Sequence, residues 1–414
     1  MTGYEACVRC GLCLPACPTY LETMTETSGP RGRISLIKAV DEGELDLLSP
    51  GFVEQMSQCL DCRACQAVCP SAVPYGPMLE EMRARIEHAS APSRPAGART
   101  ARYLLLQWLF AAPSRLRSAA SLLRFAQRSG LTALASLFGL RETVRLAPQI
   151  SDRFFEPDDQ QYAVSRAAGT AMLHTGCVMQ VAFANVHEAT VRMLNRARLS
   201  VVVPRAQGCC GGLAVHAGDP QFARELARVN IAAFERSGAD VYVVNAAGCG
   251  SALKEYGAWL DDDPAWRQRA QAFSSRVRDI TEVLDAMELT APRGRIDARV
   301  TYQEPCHLVH AQRVSAAPRR LLEKIPGLEL VEMNESAVCC GSAGIYNLTE
   351  PEMAQRLQAR KVGNIEATGA TIVATANPGC AMQVAAGLRA AGFPATVKHI
   401  VELLDDAYST SLQD

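Results

Sequence analysis

What this 414-residue chain lacks narrows the field before any motif is read. It has no run of about 20 apolar residues, so no segment reads as a bilayer-spanning helix; the apolar stretch Tyr103–Ala112 is ten residues long. It has no basic excess: 42 Lys+Arg stand against 43 Asp+Glu, and a net charge of −1 argues against a general nucleic-acid binder. No G-x-G-x-x-G follows a predicted strand and no Walker A lysine loop is present, so neither a dinucleotide nor a nucleoside triphosphate site is legible. Nothing at the amino terminus reads as a signal peptide, because Cys7 already lies inside a motif. A reducing, cytoplasmic setting is therefore the expectation. The composition, 48% hydrophobic and 21% charged, excludes a mostly disordered chain, and the length suggests two to four domains.

Against these absences stand 16 cysteines, which in a reducing compartment point to metal or redox chemistry rather than disulfides. They fall into four sets of four. Cys7, Cys10, Cys13 and Cys17, followed by Pro18, have the spacing C-x2-C-x2-C-x3-C-P; Cys59, Cys62, Cys65 and Cys69, followed by Pro70, repeat it. Three thiolates two residues apart can wrap one corner of a cubane, while the fourth leaves the loop to ligate a second cluster. The spacing thus predicts one [4Fe–4S] cluster on Cys7, Cys10, Cys13 and Cys69. A second falls to Cys59, Cys62, Cys65 and Cys17. A pair of zinc knuckles would use the same thiolates but needs no cysteine triplet plus Cys-Pro, twice. Between the runs, residues 18–58 carry Gly29-Pro30-Arg31-Gly32-Arg33 and then a helical apolar pattern at Ile34, Leu36, Ile37 and Val40. Arg31 and Arg33 read either as partners of an acidic surface or cluster, or as a solvated turn before that helix.

The other two sets form an internal repeat. Cys177 and Cys209 enclose 31 residues, and Cys306 and Cys339 enclose 32; Cys210 to Cys249 encloses 38, and Cys340 to Cys380 encloses 39. Both copies contain Cys-Cys-Gly, and in both a glycine, Gly248 or Gly379, precedes the last cysteine. Each copy reads as alternating strands (171–175, 199–203 and 240–244; 300–303, 328–332 and 371–375) and helices (such as 186–195), which predicts a parallel α/β layer with cysteines at the carboxyl ends of strands. Cys177, Cys209, Cys210, Cys249, Cys306, Cys339, Cys340 and Cys380 are thus candidates for further cluster ligands or redox thiols, with a structural disulfide or packing as the alternatives. His174, His216 and His307 lie near these cysteines and are candidate proton donors or cluster neighbours.

The motifs CVRCGLCLPACPTY (7–20), GPRGRI (29–34), GCCG (208–211), GCGSALKEYG (248–257) and CCGSAG (339–344) give the chain a resemblance to the iron–sulfur subunit family of bacterial glycolate oxidase (glycolate dehydrogenase), over essentially all 414 residues. The resemblance implies an α/β fold overall: an amino-terminal helical ferredoxin domain with two [4Fe–4S] clusters, then two related α/β Cys-Cys-Gly domains. It implies two partner flavin-binding subunits that oxidise glycolate to glyoxylate, with this chain passing electrons to a quinone or other acceptor. No flavin and no catalytic residue are assigned to this chain. Cys-Cys-Gly domains also resemble those of heterodisulfide reductases and of lactate and glycerol-3-phosphate dehydrogenase subunits, which supply the alternative readings. In the heterodisulfide reductase type the motif ends Cys-x-x-Cys, whereas here Cys249 is followed by Gly-Ser-Ala and Cys380 by Ala-Met-Gln. That departure argues against the disulfide-reductase reading.

Expected domains are 1–90 (ferredoxin), 91–165 (basic helical linker), 166–290 (first Cys-Cys-Gly) and 295–414 (second). Residues 88–100 read as a Pro/Ala/Ser linker. Residues 91–150 hold nine arginines, no lysine and one acid, Glu142, a net of +8 that the rest of the chain offsets. With Trp108, Phe110, Phe125 and Phe138 interleaved, this segment reads as a surface that packs on the repeats, docks a flavin subunit, or makes peripheral contact with the cytoplasmic face of the inner membrane.

Overall fold

The computed structural model describes residues 3–132, 144, 147–287 and 289–409; Phe138 and Glu142 lie outside the described residues. The fold is α/β as expected, with a helical amino-terminal unit and two parallel sheets. Helices Pro18–Thr23, Pro30–Asp41 and Pro50–Ser57 each begin on a proline, whose missing N–H is no loss in a first turn. Ile34, Ile37 and Val40 project from one face of the second of these, at helical spacing, onto Phe52, Met56 and Leu79. This small core leaves both cysteine runs on loops around it.

The helix Tyr75–Ser90 leads through a short 3-10 turn, Ala91–Ser93, to the helix Ala96–Tyr103, π-helical turns over Leu104–Phe110 and the helix Pro113–Arg128. The stretch read as a linker at 88–100 is thus mostly helical. Its prolines stand at or just before helix starts, where they do not interrupt hydrogen bonding, and the alanines between them favour helix.

The first sheet comprises β1 (Gln161–Tyr162), β2 (Gly169–Leu173), β3 (Leu199–Val202), β4 (Val241–Val244) and β5 (Val277–Asp279), in the order β1-β3-β2-β4-β5 with only β1 antiparallel. The second comprises β6 (Ala298–Tyr302), β7 (Leu328–Val331), β8 (Ile372–Thr375) and β9 (Thr396–His399), in the order β7-β6-β8-β9, all parallel. The shared order 3-2-4-5 and 7-6-8-9, and matching registers such as Ala171↔Val201 and Val300↔Leu330, make the cysteine repeat a structural one. Strands β1, β5 and β9 are additional to the sequence reading: they have two to four residues and carry exposed polar side chains, so no alternation marks them.

The two sheet units share one apolar core, which includes Leu173, Val243, Leu321 and Leu403. At their joint Arg192 pairs with Asp405 at 2.6 Å, and a buried polar chain crosses from one unit to the other. Asn245 Nδ2 donates to His187 Nδ1 (3.1 Å), His187 Nε2 donates to the Thr175 carbonyl (3.0 Å), and His399 Nε2 donates to the Asn245 carbonyl (3.0 Å). His399 Nδ1 accepts from the Val401 N–H at 3.1 Å, so both rings are satisfied only as neutral imidazoles. Burial pushes His187 down to about 3 and His399 down to about 4. Below the ordinary histidine pKa of about 6.5 the unfolded chain takes up protons that these rings refuse, so stability falls as pH falls from about 6.5 towards 4. Thermal unfolding followed over that range should show the midpoint dropping with acid, and His187→Gln together with His399→Gln should flatten the slope; an unchanged slope would contradict this account.

Candidate metal centres

The two amino-terminal cysteine runs use one loop geometry. Arg9 and Gly11 in the first have φ of 55° and 83°, and Asp61 and Arg63, at the same places in the second, have 50° and 61°. Alternating left-handed residues turn successive backbone N–H groups into a concavity, the form that cradles an anionic group. Each loop borders a hollow. The first is lined by Cys7, Cys10, Cys13 and Cys69; the second by Cys17, Cys59 and Cys62; Cys65 borders both. Cys69, the fourth cysteine of the second run, thus borders the first run's hollow, and Cys17 borders the second's.

The two hollows differ in setting. Cys10 is exposed and flanked by exposed Val8 and Leu12, whereas Cys17, Cys59, Cys62 and Cys65 are all buried. We call them the outer and inner hollows. The donor set of each is four free thiols, suited to thiolate-ligated iron and to no hard cation. Arg33, 1% exposed, lines the inner hollow; its Nε donates to the Gln55 carbonyl (2.8 Å) and Nη1 to Thr19 Oγ1 (3.0 Å), while Nη2 has no protein partner. An unanswered buried guanidinium beside four cysteines fits an anionic thiolate-bound cluster. Tyr75 Oη lies 3.6 Å from Cys59 Sγ and can donate to it; Thr19 Oγ1 lies 3.3 Å from Cys17 Sγ but gives its hydrogen to the Ser28 carbonyl at 2.6 Å. Arg31 stays at the surface, pairing with Glu26 and donating to the Arg9 carbonyl at 3.1 Å, where it braces the outer loop. Gly32 leaves no room for a side chain: an added Cβ would lie 2.1 Å from the Glu26 carbonyl oxygen.

The repeat cysteines also converge. In the first copy sulfur contacts run from Cys177 to Cys209 to Cys210 to Cys249, and in the second from Cys306 to Cys339 to Cys340 to Cys380. Hydrogen bonding to Cys209 pushes the Cys177 thiol well up; Cys209, bonded by both Cys177 and Cys210, is held well below its ordinary value. Cys306 and Cys339 repeat the pattern. The last cysteine of each set lies in the first turn of a helix, Ala247–Lys254 or Pro378–Ala391, rather than at a strand end. The glycine of each Cys-Cys-Gly has a left-handed φ, 81° at Gly211 and 86° at Gly341, and at Gly341 a Cβ would lie 2.7 Å from the Ala354 carbonyl.

Of the three histidines, only His174 lies beside a repeat sulfur: its Nδ1 meets Tyr242 Oη at 2.8 Å, while its buried Nε2, on the side of Cys249, has no hydrogen-bond partner in the protein. His307 donates instead to the Asp61 carbonyl (2.9 Å), and His216 Nδ1 lies 3.1 Å from Asp61 Oδ2. Both belong to a joint that no single stretch of sequence announces. There Arg63 pairs with Asp61 (3.0 Å), Glu80 (2.7 Å) and Glu255 (3.5 Å), drawing together the helical unit and the first sheet unit. Burial pushes Asp61 up, but Arg63 and His216 outweigh it and hold the carboxyl well below its usual range; for Glu80 burial prevails and pushes it up. Alongside, Cys62 of the inner hollow packs against Cys339, with Leu60 and Tyr346 around them. Asn377 joins the two quartets: its Nδ2 donates to Cys380 Sγ (3.3 Å), and its Oδ1 accepts from the N–H of Gly248, beside Cys249 (3.1 Å).

Comparison with known proteins matches three families to successive parts of the chain: a 4Fe-4S dicluster domain at residues 3–73, the linker region of the glycolate oxidase iron-sulfur subunit at 97–151, and a cysteine-rich domain at 171–254 and again at 300–385. The probable glycolate oxidase iron-sulfur subunit of Bacillus subtilis is 38% identical over 97% of this chain and 93% of its own length. The glycolate oxidase iron-sulfur subunit of Escherichia coli is 32% identical over 97% and 94%. Lactate utilization protein A of an Exiguobacterium species is 30% identical, but over only 56% of this chain and 96% of its own.

The Arg63 joint makes a direct prediction. Arg63→Met leaves buried Asp61 and the partly buried Glu80 and Glu255 without their shared cation and should destabilise the protein by about 3 kcal/mol, read by denaturant unfolding. Adding Glu80→Gln should recover part of that loss. A neutral Arg63→Met would show that the joint does not depend on this ion network.

Proposed function

The chain belongs to the glycolate oxidase iron–sulfur subunit family, and we propose that it is the electron-carrying subunit of a complex that oxidises glycolate to glyoxylate. The observation that carries this reading is the pair of four-cysteine hollows, one open to solvent and one buried against a second thiol quartet. Cys7, Cys10, Cys13 and Cys69 would hold one [4Fe–4S] cluster, and Cys59, Cys62, Cys65 and Cys17 the other. Clusters bound there supply one-electron storage, which lets a two-electron flavin donor discharge one electron at a time.

The chain's own residues then set the route. Val8 and Leu12 offer a partner subunit an apolar landing beside Cys10. Cys65, bordering both hollows, lies between the outer and inner stations. Cys62 and its neighbour Cys339 place the second quartet next in line, and Asn377 leads from Cys380 towards Cys249 in the first. In this reading two flavin-binding subunits carry the substrate chemistry, a quinone or another acceptor takes the electrons, and the complex works in the cytoplasm. The domains run 1–90, 91–165, 166–290 and 295–414.

A second reading, thiol–disulfide chemistry at the quartets, draws support from the lowered thiols of Cys209 and Cys339, either of which could act as the attacking sulfur. Replacing Cys209, Cys210, Cys339 and Cys340 by Ser would abolish such an activity while leaving the amino-terminal cluster spectra unchanged.

Anaerobic analysis should return at least about eight iron and eight sulfide per chain, any excess belonging to the quartets. The crosswise ligation predicts which variants resemble one another. In electron paramagnetic resonance of the reduced protein, Cys69→Ser should share the spectrum of Cys10→Ser, and Cys17→Ser that of Cys62→Ser. The opposite pairing, or about four iron in the native chain, would exclude the assignment.

A further inference from the structure

Among the described residues, thirteen large apolar side chains are exposed, and six of them fall within residues 103–131: Tyr103, Leu104, Trp108, Leu122, Phe125 and Leu131. Leu122 and Phe125 are the extreme cases, 73% and 65% exposed. The segment is not short of a core to join. On the helix Pro113–Arg128, Leu116 and Ala120 are buried against Val181, with Phe154 and Ile150 nearby. The outward stripe, Ser118, Leu122, Phe125 and Ser129, is a second, exposed face that no described residue covers.

The segment's own charge has one sign. Between residues 91 and 132 there are seven arginines and neither an acid nor a lysine. Arg115 lies over the Trp108 ring at 4.9 Å and donates to the Trp108 carbonyl; Arg124 bonds the carbonyls of Ser151 and Asp152. Neither pairs with a carboxylate among the described residues, whereas Arg94, Arg117 and Arg128 have Glu87, Glu156 and Asp152. No helix among the described residues is long and apolar enough to cross a membrane, so whatever covers the face is met in the plane of the helices.

We propose that the outer face of this linker, centred on Leu122, Phe125 and Trp108 with Arg115 at its edge, docks the chain on an anionic lipid surface. Exposed leucine and phenylalanine suit the headgroup–acyl boundary, Trp and Tyr suit its polar edge, and arginine without acid suits anionic headgroups. An acidic protein face would answer the charge, but the wide spacing of single apolar side chains along helices suits a deformable surface better than a shaped socket. The acidic excess of the remaining chain would face away from the lipid, which orients the molecule. This placement does not depend on which 2-hydroxy acid the complex oxidises.

The test is flotation of the full chain, purified with its iron, on vesicles of phosphatidylcholine alone or with about a third phosphatidylglycerol. The chain should float with the anionic vesicles, less at high salt, and not with phosphatidylcholine alone. Leu122→Ser with Phe125→Ser should weaken that binding about tenfold or more, with iron content and visible spectrum unchanged. Three results would overturn the proposal: a native chain that stays unbound with anionic vesicles at low salt, a double variant that floats as well as the native chain, or a double variant that keeps lipid binding and loses the flavin subunits instead.

Discussion

Everything in the amino-terminal unit follows from one exchange: each cysteine run gives its fourth thiol to the other run's hollow. Neither hollow can be completed by its own loop, so the two loops must fold against each other, and the 41 residues between them must return the chain to its starting point. The helix Pro30–Asp41 does this while its first turn carries Arg31 to one loop and Arg33 to the other hollow. The segment GPRGRI thereby couples both sites, and its glycine at position 32 is required because the helix start lies on the Glu26 carbonyl.

The inner hollow is also where the helical unit meets the sheets. Burying four cysteines and a guanidinium there would be unfavourable unless their charges were answered in place, and the Arg63 network supplies fixed ions of both signs at that seam. His307 and Tyr346 add bonds to the Asp61 and Gln58 carbonyls from the second sheet unit. The seam therefore holds Cys62 beside Cys339 by several directional contacts as well as by apolar packing, which fixes their spacing.

How much of this was legible in the sequence depended on range. The repeat and the three central strands of each sheet arise from spacings and periodicities within about 80 residues, and the structure reproduces them. Cys-Pro at the end of each run is the local signal that suggests a crosswise exchange. The seam was not: Cys62 and Cys339, Asp61 and His216, and Asn377 and Gly248 are brought together by tertiary packing that leaves no local pattern. His307 beside Cys306 illustrates the error that follows, since adjacency in sequence suggested a sulfur neighbour and its ring turns to the Asp61 carbonyl instead. Residues 88–100 misled for a different reason, because proline there marks helix starts rather than a break.

The two quartets share strand order, register and the left-handed glycine, yet their surroundings have diverged in a consistent direction. Three residues before the first cysteine stands His174 in one copy, hydrogen-bonded to Tyr242, and Gln303 in the other, which accepts from Thr375 Oγ1 at 2.7 Å. Three residues before the last cysteine stands Ala246 in one and Asn377 in the other. The copy that abuts the ferredoxin-like unit has the side chain that reaches across to its twin, while the distant copy has the titratable ring against its sulfur. An amide has both a donor and an acceptor, so Asn377 bonds two groups at once, whereas the His174 ring has Tyr242 as its hydrogen-bonded partner. Duplication alone would leave the two alike; the difference tracks position, since Cys339 of the second copy clusters with Cys62 of the helical unit.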